Sequence, residues 1–227
     1  MPPDTPVPPH AESPRPLDRV GQALYRLVGR PVFWLLFLAL AGGWPIARAI
    51  LTPLPPPLPV YSTLPEFLLT DQFGEPRGAG DLRGRVWVAG FVFTRCPTTC
   101  PILTATMLDV QRRAKHLGNA FRLVSISVDP AHDTPEVLAE YARVRQVRQQ
   151  SWFFLTGDPA AIRQLVGKDF KLALGDAPAD SPETILHSTH LVLVDQKLGI
   201  RGYYDSTDPA AIDVLLRDAG MLANRGR

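Results

Sequence analysis

From Tyr61 onward, apolar runs of strand length alternate with helix-like patterns, which restricts the chain to an α/β fold around a buried sheet. Residues 86–93 form an apolar run that reads as a buried strand, and residues 102–117 read as the helix after it. Leu123 to Val128 is a second strand, closed by Asp129-Pro130. Thr134-Pro135-Glu136 has the form of an N-cap followed by proline at the first helical position, predicting a helix to about Val147. Trp152 to Leu155 reads as a short strand whose aromatics, Trp152, Phe153 and Phe154, pack the core. Asp158-Pro159 and Asp208-Pro209 repeat the cap signal before helices at 160–166 and 210–219.

Two hairpins complete the pattern. Residues 64–69 run into the turn Asp71-Gln72-Phe73-Gly74, and residues 191–194 and 202–204 bracket a second turn. Alternating βαβ units followed by a terminal hairpin and helix describe a thioredoxin-like sandwich.

The upstream segment is of another kind. Residues 1–30 begin with a proline-rich stretch of few apolar residues and read as a disordered leader. From Pro31 to Ala47 the chain is almost wholly apolar, bracketed by Arg30 and Arg48, and with Ile50 and Leu51 it approaches the roughly 20 residues that cross a bilayer. Residues 31–51 are therefore expected to be a single transmembrane anchor. Trp34 and Trp44 suit the interfaces, and Arg19, Arg26 and Arg30 predict a cytoplasmic leader. Ala47-Arg48-Ala49 has the small-x-small form of a cleavage site, but the leader is long for a signal peptide, so an uncleaved anchor is expected. No cysteine directly follows the run, which argues against a bacterial lipoprotein anchor. Residues 52–60, with Pro53, Pro55, Pro56, Pro57 and Pro59, read as a stiff spacer, leaving residues 61–227 as the extracytoplasmic domain.

Of 24 basic and 22 acidic residues, five and three fall within residues 1–50, so the remainder holds 19 of each. A neutral domain without interleaved basic and aromatic residues argues against nucleic acid as a partner.

Only two cysteines are present, Cys96 and Cys100, in Thr94-Arg95-Cys96-Pro97-Thr98-Thr99-Cys100-Pro101 between the first long strand and its helix. A disulfide across so short a loop removes little chain entropy, so chemistry explains the pair better than stapling. A helix N-terminus favours negative sulfur, and Arg95 is expected to stabilise the thiolate further. At spacing i, i+4 the two sulfurs can face the same side of one turn. Two soft thiolates suit Cu(I), and an added imidazole supports Cu(II) and Zn(II). Among the five histidines, His10 lies in the leader, while His116 and His132 read as solvated surface residues. His187 and His190 flank the last core strand, after a Gly/Pro/Asp-rich loop at 175–182, and spacing alone does not choose between them. Asp129 and Asp133 read as a turn residue and a helix-start residue.

The cysteine segment resembles the T-x-C-P-x-x-C-P signature of the Sco/SenC copper proteins. Ser127-Val128-Asp129-Pro130 with Asp133-Thr134-Pro135-Glu136 resembles their S-V-D-P-x-x-D-T-P-E segment, and His187-Ser188 their H-S segment. The resemblance spans about residues 60–222. It implies one copper, as Cu(I) or Cu(II), held by Cys96, Cys100 and His187. It further implies a chaperone in the bacterial inner membrane, its soluble domain periplasmic, that helps assemble the dinuclear copper centre of cytochrome c oxidase subunit II. An upstream copper donor or thiol reductant is implied as well. His190 departs from the family pattern and is expected to be a hydrogen-bonded strand residue.

The alternative is a thiol–disulfide oxidoreductase on the same fold, using Cys96 and Cys100 as a redox pair and acting on cysteines of the oxidase subunit or of other extracytoplasmic proteins. That chemistry favours C-x-x-C spacing and an X-Pro before the facing strand, where this chain has an extra residue and Leu186-His187-Ser188. A structural zinc site asks for four ligands, and three are in view.

Overall fold

The structure, a computed structural model, describes residues 24, 26, 28–51, 56–172 and 189–225. Most of the expected leader with His10, part of the spacer, the 175–182 loop and His187 lie outside the described residues. The chain divides into two units, Met1–Pro56 and Pro57–Arg227.

In the first unit, helix α1 spans Pro31–Leu51. Its 21 residues cover about 32 Å at 1.5 Å per residue, close to the hydrocarbon thickness of a bilayer. None of the window Pro31–Arg48, of mean hydropathy 1.4, is buried, so this helix is long and apolar enough to cross a membrane. Pro45 lies inside it, and the Trp34 indole donates to the Val28 carbonyl at 2.8 Å.

The second unit is built on one eight-stranded sheet. Its strands are β1 (Ser62–Thr63), β2 (Leu68–Asp71), β3 (Pro76–Gly78), β4 (Val86–Val92), β5 (Phe121–Ser127), β6 (Trp152–Thr156), β7 (His190–Val194) and β8 (Gly199–Asp205), in the order β1-β8-β7-β4-β5-β6-β2-β3. A short helix, α2 (Ala79–Leu82), precedes β4; the others are α3 (Thr99–Arg113), α4 (Pro135–Val144), α5 (Pro159–Gln164) and α6 (Pro209–Arg225). β4, β5 and β6 are parallel, while β7 pairs antiparallel with both β4 and β8. The β4-α3-β5 crossover and the β7-β8-α6 unit are the two halves of the expected thioredoxin-like sandwich.

Every residue of β4 is buried because the strand is covered on both faces. Val86, Val88 and Val92 face a core with Leu103, Met107, Leu138, Phe154 and Leu215, from α3, α4, β6 and α6. Trp87, Ala89 and Phe91 face the opposite core with Leu82, Ile126, Ile162 and Phe170. Of the β6 aromatics, Trp152 and Phe154 are fully buried and stacked, 5.3 Å between centroids, whereas Phe153 is half-buried beneath the Arg77 guanidinium.

Element edges move from the sequence expectation for local reasons. α3 starts at Thr99, three residues early, because Pro101 falls in the first turn, where its missing N–H is not needed. Its expected tail becomes a separate 3₁₀ segment, Ala114–Ala120, broken at Gly118. α4 stops at Val144 because Gln146 adopts a positive φ of 57°. The N–H of Gln146 then bonds the Arg143 carbonyl and that of Val147 the Ala142 carbonyl, a Schellman closure. α6 continues to Arg225, burying Leu222 and Ala223 beyond its expected end.

Candidate metal centre

The cysteine loop leaves β4 at Val92 and enters α3 at Thr99. Cys96 is half-buried, Cys100 is 5 % exposed, and both are free thiols. Cys100 occupies the first turn of α3, but Cys96 lies two residues before the N-cap Thr98, so the pair does not share a helical face as the spacing suggested. Thr98 makes no side-chain cap. The Cys96 sulfur takes that place, accepting the Cys100 N–H at 3.3 Å.

The two sulfurs differ sharply. Burial opposes ionisation of Cys96, but the backbone N–H groups of Cys100, Thr98 and Thr99, with the Cys100 thiol, outweigh it and hold this thiol below its ordinary value. Burial pushes the Cys100 thiol up to about 12, although the Phe93 N–H points at its sulfur from 3.5 Å; the negative Cys96 and Asp133 reinforce the rise.

The β5–α4 turn anchors the stem of this loop. Asp133 is fully buried and accepts the Thr94 N–H at 3.1 Å, the Thr94 hydroxyl at 2.5 Å and the Ser127 hydroxyl at 2.6 Å. Asp129 accepts the Arg95 guanidinium at 2.6 Å. The sequence places Arg95 to support the thiolate, but its charge is paired instead with a carboxylate 34 residues downstream. Asp133 is more than a helix-start residue, because it ties the residues before Cys96 to β5.

His132 is exposed, as expected, yet its Nδ1 lies 3.1 Å from Asp133 and 3.3 Å from the Thr94 hydroxyl. Ligand atoms of Asp129, His132 and Asp133 lie within 4.8 Å of one another, a grouping the sequence reading missed. Thr94, Arg95 and Ser127 already occupy its carboxylates, so it serves as an anchor for the loop. His116 is exposed and lies 3.0 Å from the Arg113 carbonyl.

Val192 pairs with Ala89, so β7 begins at the end of β4 from which the cysteine loop leaves. His190, its first residue, is exposed and registered opposite Asp205, not packed in the core. His187 lies outside the described residues.

The SCO1/SenC family model matches residues 58–217. A SCO1 protein homolog of Bacillus subtilis is 30% identical over 184 residues, covering 81% of this chain and 89% of its own length. A Stutzerimonas stutzeri protein named for copper binding is 31% identical over 167 residues, 70% of this chain and 76% of that one. The solved structure of BsSco, described as a member of the Sco family of cytochrome c oxidase assembly proteins with a disulfide switch, superposes with a TM-score of 0.65. It is 29% identical and covers 75% of this chain and 98% of that one. Motif, fold and extent of match agree: the chain belongs to the SCO1/SenC family.

Proposed function

We propose that Cys96 and Cys100 bind copper and that the protein is a membrane-anchored copper chaperone for the dinuclear centre of cytochrome c oxidase, acting on subunit II. The observation that carries this reading is the loop itself: two free thiols at the start of α3, one with its sulfur bonded to backbone N–H and below its ordinary pKa. Two soft thiolates fit Cu(I), and an imidazole extends the set to Cu(II). We assign that imidazole to His187 from the resemblance of His187-Ser188 to the H-S segment of the family. Family membership, a relative named for copper binding and likeness to a Sco assembly protein support the role.

In this reading residues 61–227 are the copper-binding domain, 52–60 its spacer, 31–51 a single-pass inner-membrane anchor and 1–30 a cytoplasmic leader, with the domain on the periplasmic side. A copper donor or thiol reductant acts upstream.

Full-length protein in detergent is expected to bind about one copper per chain with thiolate-to-Cu(II) absorption. Cys96→Ser and Cys100→Ser each abolish that absorption, while His187→Ala loses Cu(II) but keeps Cu(I). An unchanged Cu(II) spectrum in His187→Ala, with loss in His190→Ala, would reassign the third ligand.

A second reading rests on the unequal thiols. A half-buried Cys96, its thiol held below its ordinary pKa, beside a buried Cys100 pushed up to about 12 suits attacking and resolving roles in thiol–disulfide exchange. If the protein binds no copper yet reduces protein disulfides briskly, the oxidoreductase reading replaces the chaperone.

A further inference from the structure

The end of the sheet opposite the cysteine loop carries a basic groove. β5 and β6 begin there, Phe121 level with Val86 at the start of β4 and Trp152 level with Leu123. Two adjoining clefts open beside these strand starts, of about 280 Å³ and 190 Å³, sharing Gln111, Lys115 and Arg148 as a common wall. Arg112 and Arg145 complete the cationic lining of the larger cleft and Arg122 that of the smaller. No carboxylate lines either.

The charges are largely uncommitted. Arg112 pairs with Asp109 at 2.9 Å, Arg122 donates to the Gly118, Asn119 and Phe121 carbonyls and the Asn119 amide oxygen, none of them charged, and Arg145 lies over the Tyr141 ring. Lys115, Arg122, Arg145 and Arg148 have no acidic partner among the described residues. Burial, with a smaller contribution from Arg85 outside the groove, lowers the Arg122 pKa. Helix C-termini attract positive side chains, which accounts for Arg112 in the last turn of α3. Arg122 and Arg148 lie on no helix, so the dipole does not explain them. The wall is also pre-set: the Gln111 amide donates to the Arg148 carbonyl at 2.8 Å and the Ser151 hydroxyl at 3.0 Å, and accepts the Arg148 N–H at 3.3 Å.

The lining selects among anionic partners. A bilayer-binding surface sets apolar wedges beside its cations, and a single-stranded nucleic-acid site offers exposed rings for stacking. The one aromatic lining residue, Phe121, is only 5 % exposed, while Gln111, Gln146, Gln150 and Asn119 supply amides. We propose that this groove docks an extended acidic peptide segment of a partner protein, its carboxylates met by Lys115, Arg122, Arg145 and Arg148, while the cysteine loop at the far end stays open. This holds whether or not the cysteines carry copper.

The test uses the full chain in phosphatidylcholine nanodiscs, without metal, and a fluorescein-labelled oligo-glutamate peptide followed by anisotropy. Saturable binding that weakens with salt is expected. Lys115→Gln/Arg148→Gln should bind about tenfold more weakly. Lys115→Arg/Arg148→Lys, which keeps the charge, and Arg163→Gln/Lys197→Gln, which removes equal charge elsewhere, should both bind as wild type. Absence of binding at low salt, or equal loss in both charge-removing double variants, overturns the proposal. So does displacement of the peptide by phosphatidylglycerol in the nanodisc or by a single-stranded oligonucleotide.

Discussion

At Cys96 the contest between burial and hydrogen bonding decides which sulfur carries the negative charge. With Cys96 below its ordinary value and Cys100 raised to about 12, rising pH deprotonates Cys96 first. Iodoacetamide should therefore modify metal-free protein at Cys96 well before Cys100, as read by peptide mass spectrometry at neutral pH; faster labelling of Cys100 would refute this ordering. Asp133 is the other decisive residue. Its removal leaves the Thr94 N–H and the Ser127 hydroxyl without their acceptor. Asp133→Ala should lower stability by about 2–4 kcal/mol in urea titrations, and a change near zero would deny it the anchoring role. The cysteines and their helix start were legible in the sequence because both are local. The Arg95–Asp129 pair was not, since its partners are 34 residues apart and only the β4–β5 register brings them together.

Elements announced by local chemistry were the readable ones. Thr134 and Asp158 cap α4 and α5 through the N–H groups of Val137 and Ala161, and proline follows each as the sequence predicts. β1 went unseen because two residues have no periodicity; it exists only through pairing with Ile200 and Gly199. The helix–sheet approach of α3 and β4 leaves a sharper mark. A Cβ on Gly90 would lie 2.6 Å from the Met107 sulfur. Gly90→Ala should therefore destabilise by about 1–2 kcal/mol, because the buried Met107 must leave its place. In a Met107→Ala background, where the clashing sulfur is gone, the Gly90→Ala step should cost less. Additive losses in this cycle would mean that strand and helix do not meet at this point.

At the scale of the molecule, α1 is apolar all round as far as Arg48, and the chain beyond it is neutral in charge. Leu35, Leu38, Leu40 and Trp44 of α1 are each more than 60 % exposed, surface that water does not tolerate. Full-length protein should stay in the membrane pellet after carbonate extraction; release into the supernatant would remove the anchor from the proposal. The cap at the start of α3 carries a further consequence, an electrochemical one. A sulfur that holds the helix's leading amides as a thiolate loses much of that hold once bonded to a second sulfur. Where Cys96 is ionised, these amides therefore weigh toward the dithiol and against the disulfide.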